Sequence, residues 1–170
     1  KSPALRDIEV TRVIDADTVE ISGDVTEHDR DHYRLAGLDS PELKSTRWPE
    51  QPRAAEAKKY VESITDGKHL RAKITKNGGG YGRHLITLYD LTPDGAELDL
   101  NAQIVAQGWA WSAVEYSKRY LPLELEARKA KLGIWRDNWP VEPSKWRKGV
   151  RQGNLHHSAI RAMPGKDSPM

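Results

Sequence analysis

Two short stretches of the chain concentrate oxygen donors. Ile14-Asp15-Ala16-Asp17-Thr18-Val19 places two carboxylates at the end of a run of alternating apolar residues, and Arg34-Leu35-Ala36-Gly37-Leu38-Asp39-Ser40-Pro41-Glu42 places two more beyond an arginine. Any one of these aspartates taken alone reads more readily as a turn or capping residue, because Asp and Ser satisfy nearby backbone donors. Gathered beside an arginine they suit a hard cation instead. Such ions take several oxygen ligands, so Asp17, Asp39 and a neighbouring backbone carbonyl can hold Ca²⁺ and leave positions for water and a phosphate oxygen. Glu42 then remains free to act on water. A further arginine emerges in Tyr81-Gly82-Arg83-His84-Leu85, where glycine allows close approach of backbone. Ordinary loop chemistry accounts for that segment by itself. Phosphodiester cleavage, however, needs charge on the phosphate oxygens neutralised, which a planar guanidinium does with paired hydrogen bonds.

These groups need strands and helices to bring them together. Ile8, Val10, Val19 and Ile21 alternate with polar neighbours, as do Tyr33, Leu35 and Gly37 with Arg34, Ala36 and Leu38. Leu70, Ala72 and Ile74 return to the same period, Asn77 to Gly80 makes a loop, and Leu85 to Tyr89 adds another strand before the Pro93-Asp94-Gly95 turn. Five strands are predicted. After Pro52 the period becomes helical through Ala54, Ala57, Tyr60, Val61 and Ile64, and Asp66-Gly67 ends that helix. A second helix is capped by Asp99 or Asn101 and stopped by Gly108. A third starts at Pro122, buries Leu121, Leu125, Arg128 and Leu132, and ends at Gly133. Glu124 and Glu126 near its start, with Lys129 and Lys131 near its end, suit the macrodipole.

Length and composition narrow the function classes. The 170 residues suit one domain with an appendage, 37% hydrophobic and 31% charged residues predict a small core, and no stretch approaches the roughly 20 apolar residues of a membrane-spanning helix. With no cysteine, disulfides, thiolate zinc, iron-sulfur clusters and cysteine catalysis are excluded. Residues 1–143 carry 21 basic and 24 acidic side chains and residues 144–170 carry 6 and 1, so a body of −3 bears a tail of +5. The domain boundary is placed at 137, with 138–170 a Trp-, Pro- and base-rich extension expected to be partly flexible. The chain opens on Lys1 rather than Met, and the expectation is a processed, secreted or periplasmic protein.

Val13 through Val19, Arg34-Leu35 through Asp39-Ser40-Pro41-Glu42, Tyr81-Gly82-Arg83, Asn101 through Gln107-Gly108, and Lys131-Leu132-Gly133-Ile134-Trp135 together resemble the staphylococcal nuclease (thermonuclease) family, in order and spacing, over Ile8 to Trp135. The resemblance implies an α+β fold, a five-stranded OB-fold barrel with three α-helices, and a Ca²⁺-dependent nuclease that acts on DNA and RNA and leaves 3′-phosphates. It implies metal ligation by Asp17 and Asp39, with the Ser40 backbone carbonyl completing the set and Asp15 supporting it from behind. Arg34 and Arg83 are implied as the phosphate clamp, Glu42 as the general base or water-orienting group, and Tyr81 and Tyr116 as nucleotide contacts. Gly80 and Val114 stand where the family pattern has a lysine and a second tyrosine.

Other readings stay open at this point. The same fold serves as a non-catalytic nucleic-acid or protein interaction module, and acidic loops also serve as Ca²⁺ switches; neither requires the full set of Arg34, Glu42 and Arg83. Trp135, Trp139 and Trp146 with Lys145, Arg147 and Lys148 form either a stacking platform for single strands or an anchor that wraps the extension onto the barrel. His156-His157 reads as a solvated pair, and His28 to His32 as a polar turn. A monomer without membrane or disulfide partners is expected.

Overall fold

A computed structural model of the protein describes residues 4–25, 32–76 and 84–153. The alternation of Ile8, Val13, Val19 and Ile21 folds β1 (Arg6–Asp15) and β2 (Thr18–Gly23) into an antiparallel hairpin, with its turn at Ala16-Asp17. Register shifts between Val10 and Arg12 and between Val13 and Asp15 bend β1 around the core. β3 (Tyr33–Leu35) adds to β2 antiparallel, β5 (Leu70–Lys76) adds to the start of β1, and β6 (His84–Leu91) adds to β5. The parallel pairing of β3 with β6, Arg34 opposite Leu85, joins the two ends and closes a ring of the five strands expected from the sequence. Three shorter strands lie outside it: β4 (Leu38–Asp39) pairs with β8 (Trp111–Ser112), and β7 (Glu97–Asp99) with the end of β6.

The ring is filled from its own strands by Ile8, Val19, Tyr33, Leu35, Leu70, Ala72, Ile86 and Leu88, all without solvent exposure. α1 (Ala54–Thr65) lays Ala57 and Val61 on this core, and α2 (Leu100–Ala106) adds Leu100, Ile104 and Val105. Of the two residues that read as caps for α2, Asp99 is the cap, accepting from the Ala102 amide at 2.9 Å. Asn101 is instead a buried latch: its amide donates to the Ala36 and Ile86 carbonyls at 3.0 Å, and its Oδ1 accepts from the Leu88 amide at 3.1 Å. It satisfies the backbone where the parallel β3–β6 pairing ends.

α3 (Leu121–Lys129) buries a different face from the one its apolar spacing predicts. Its buried residues are Glu124 and Ala127, not the predicted stripe of Leu121, Leu125, Arg128 and Leu132. Glu124 is drawn inward because its Oε1 accepts from the Ser112 amide at 2.7 Å, while Arg128 follows it at 3.3 Å and stacks over Trp135 at 4.1 Å. The chain then turns back through Gly133, whose φ of +52° suits glycine. A Cβ there would lie 2.4 Å from the Gly108 carbonyl oxygen, so the two helix-ending glycines pack against each other.

A single 3₁₀ turn (Gly133–Arg136) and a short α4 (Pro143–Trp146) carry the chain across the barrel's side. Trp135 and Trp146 are buried and Trp139 is half exposed, so two of the three tryptophans anchor the chain and offer no stacking face to a ligand. Asp137 meets Arg53 at 3.0 Å. The turn around His28 to Asp31, the loop Asn77 to Arg83 and the pair His156-His157 fall outside the described residues.

Candidate active site

Three elements deliver the carboxylates to one end of the barrel. Asp17 sits in the β1–β2 turn, fixed because its carbonyl accepts from the Leu35 amide at 2.7 Å and its own amide donates to Asp15 Oδ1 at 3.1 Å. Its side chain is almost wholly buried; Oδ1 accepts from the Thr18 hydroxyl and Oδ2 from the Ser40 amide, both at 3.0 Å. Arg34, between the inward Tyr33 and Leu35, necessarily faces the other side of β3. There its Nη2 reaches Asp39 Oδ1 at 3.0 Å and Asp17 Oδ2 at 3.7 Å. Asp39 is held on β4 by pairing with Trp111. Ser40 follows it, buried, with an Oγ that has no hydrogen-bond partner among the described residues.

Glu42 is tied down by Gln51 on both sides of its backbone: the Glu42 amide donates to Gln51 Oε1 at 3.0 Å, and the Gln51 amide donates to the Glu42 carbonyl at 2.8 Å. Its carboxylate meets Arg147 Nη1 from the C-terminal extension. The same guanidinium reaches Asp39 Oδ2 at 3.4 Å and Oδ1 at 3.5 Å.

Asp17, Asp39 and Glu42 thus face two guanidiniums with Asp15 beside Asp17, and the proton affinities of the four carboxyl groups record the crowding. Burial, the charge of Asp17 and the hydrogen bond between the two side chains push Asp15 up to about 9. Burial alone would raise Asp17 too, but the Asp15 hydrogen bond, Arg34, the Ser40 amide and the Thr18 hydroxyl together hold it down at about 2. Burial, followed by the charge of Asp17, raises Asp39; burial also raises Glu42, in both cases against the pull of Arg147. Arg34 and Arg147 are both raised, because facing carboxylates outweigh burial, which alone would lower them.

A hard divalent cation suits this donor set, which is oxygen throughout. Asp17 and Asp39 approach one guanidinium nitrogen from two directions, and the excess of carboxylate over guanidinium is relieved by added positive charge. Among the described residues no three Asp, Glu or His side chains gather as ligands. Two carboxylates and a main-chain carbonyl fit a cation that draws its remaining ligands from water and substrate.

Comparison with known proteins decides the relationship. A sequence model of the family described as Staphylococcal nuclease homologue matches residues 32–137. The chain belongs to this family. It is 31% identical to a "Micrococcal nuclease" of Shigella flexneri over 151 residues, covering 84% of this chain and 81% of that one. An "Uncharacterized endonuclease" of Escherichia coli O157:H7 is 33% identical over 142 residues, 81% of this chain and 82% of that one. Another protein of that description, from Haemophilus influenzae, is 32% identical over 117 residues, 68% of this chain and 59% of that one, so the chain spans less than two thirds of that relative.

Within this staphylococcal nuclease homologue the structure gathers Asp15, Asp17, Arg34, Asp39, Ser40 and Glu42 at one place. Tyr81 and Arg83 lie outside the described residues. Tyr116 is 88% exposed in the loop between β8 and α3, with no hydrogen bond or ion pair to the cluster among the described residues. Sequence reasoning missed Gln51 and Arg147. Gln51 precedes a proline at a helix start and carries no charge. Arg147 is 105 positions from Glu42 and lies beyond the family match, which ends at 137, so nothing local sets it apart from Lys145 and Lys148.

Proposed function

We propose that this chain is a Ca²⁺-dependent nuclease that hydrolyses phosphodiester bonds of DNA and RNA and leaves 3′-phosphates. The observation that carries the reading is the placement of Arg34 Nη2 against both Asp17 and Asp39, with Glu42 on the same side. Relatives named as nucleases support the hydrolase class. Asp17, Asp39 and the Ser40 carbonyl would hold the cation, which when bound supplies positive charge to a phosphate oxygen as the bond to phosphorus breaks.

The chain's own groups do the rest. Asp15 accepts from the Asp17 amide at 3.1 Å and so fixes the turn that carries the Asp17 carboxylate. Arg34 is anchored at its backbone by pairing on both sides, with Thr18 and with Leu85, and its guanidinium stabilises charge developing on the phosphate. Arg83 is the proposed second arm of that clamp. Glu42 orients the attacking water and accepts its proton. Tyr81 and Tyr116 are proposed to contact the nucleotide. A direct test incubates the purified chain with single- and double-stranded DNA and RNA, with calcium or with chelator, and sizes the products and their ends. Full cleavage in chelator would remove the calcium assignment, and no cleavage of any substrate in calcium would remove the nuclease reading.

A further inference from the structure

The C-terminal extension reaches Glu42 twice. Gln51, which grips the Glu42 backbone on both sides, also donates from its Nε2 to the carbonyl of Val141, a buried residue of the extension. Five residues on, Trp146 is buried and its Nε1 donates to the Pro49 carbonyl at 2.9 Å, on the same loop that carries Glu42 and Gln51. Arg151 covers the outer face of that indole at 4.3 Å. A buried tryptophan with its ring nitrogen satisfied has one orientation, so the next residue has little freedom. The Arg147 amide closes the turn of α4 on the Pro143 carbonyl at 3.0 Å, and its guanidinium is delivered between Glu42 and Asp39. A free tail would not hold a long cationic side chain there, because ordering it costs rotamer freedom.

We infer that Arg147 is a positioning residue of the active site: borne by the extension and set by the Trp146 anchor, it holds the Glu42 carboxylate in the orientation in which it meets the attacking water. The inference rests on the reading of Glu42 as the group that acts on water. Arg147 does not itself touch the reacting atoms. Its second contact is to Asp39, which Arg34 also engages, so a cation can claim Asp39 while Glu42 stays held. Arginine suits this task because its fork addresses two carboxylates at once.

The test uses the full chain, an oligodeoxynucleotide substrate and saturating calcium, with Arg147→Ala, Arg147→Lys, Glu42→Gln and the double variant Glu42→Gln/Arg147→Ala. Groups that orient a functional side chain from behind typically contribute about 10- to 100-fold, so Arg147→Ala should lower kcat by that factor with KM changed less than about threefold. Arg147→Lys, which keeps one charged donor, should recover part of the loss. Because Arg147 acts through Glu42, the double variant should be no slower than Glu42→Gln alone, within about threefold. Calcium affinity without nucleic acid, measured calorimetrically, should stay within about threefold of wild type or tighten, since Asp39 loses a competing cation.

Additive losses in the double variant, or a rise in KM with kcat unchanged, would show a direct phosphate ligand and overturn the inference. A tenfold loss of calcium affinity in Arg147→Ala would overturn it as well, by showing that the extension organises the cation site. A wild-type chain that cleaves while Arg147→Ala is equally fast defeats the inference alone. A wild-type chain that cleaves nothing defeats the nuclease reading and the inference with it.

Discussion

Arg34 and Asp39 meet at 3.0 Å across the gap between β3 and β4, and the same guanidinium nitrogen stands 3.7 Å from Asp17. This arginine engages carboxylates that a cation would also claim. Two consequences separate here. Arg34→Ala should lower turnover by roughly 10² to 10³, the scale for losing one preorganised donor to transition-state charge. Its calcium affinity should be unchanged or higher, because a competitor for Asp17 and Asp39 is gone. Rates near wild type would refute the assignment of Arg34, and a large loss of calcium binding would show that it builds the cation site instead.

Glu124 ties α3 to the ribbon that carries Asp39. It has no solvent exposure, accepts from the Ser112 amide and faces Arg128, while Ser112 pairs with Leu38 immediately before Asp39. Removing one side of a buried ion pair leaves the other charge uncompensated. Glu124→Ala should therefore cost about 3 to 5 kcal/mol in denaturant unfolding. Glu124→Gln, which keeps an acceptor for Ser112, should cost less. A cost under about 1 kcal/mol for the alanine variant would mean that water replaces the carboxylate.

What the sequence made legible follows physical regularity. Leu70 and Ala72 are buried as their period of two required, and the helical spacing of Ala54, Ala57 and Val61 gave the buried face of α1. The cluster was legible for a different reason: Asp15 and Asp17 share one turn, and Arg34, Asp39 and Glu42 fall within nine residues, so short connections had to place each set together. Where residue type and location conflict, the reading failed. A glutamate ordinarily belongs to the surface, so the sequence pattern assigns Glu124 to the macrodipole and turns the wrong face of α3 inward. Asn101 reads as a cap until the backbone it serves is known. Arg147 depends on a contact across more than a hundred residues, and no local pattern encodes that.

The extension also carries stability. Trp146 is 5% exposed, with its ring nitrogen bonded to Pro49. Trp146→Ala should cost about 3 to 5 kcal/mol, the usual range for emptying a buried aromatic site. A chain shortened before Lys145 should show the same fall in Tm, because it loses the same anchor. If the shortened chain melts with the full one and differs only in the salt dependence of nucleic-acid binding, the extension is a polyanion-binding tail and the anchor contributes little.

Asp39 and Glu42 flank Pro41 and both meet Arg147, yet the proposed roles differ, which makes them a controlled pair. Each amide variant forfeits an ion pair to the same guanidinium, so any difference between them reflects what else each carboxylate does. Asp39→Asn removes a charge facing the cation and should weaken calcium binding by about 10- to 100-fold. Raising calcium should then restore much of its rate. Glu42→Gln should bind calcium and substrate nearly as wild type does, yet its maximal rate should fall by roughly 10² to 10⁴, the range for a general base. Saturating calcium cannot restore a missing proton acceptor, so this loss should persist at every concentration. The measurement is a calcium titration of the maximal rate in both variants, alongside direct calcium binding. If calcium rescues Glu42→Gln, or if that variant keeps most of its rate at saturation, Glu42 is not the group that acts on water and its contact with Arg147 has another purpose.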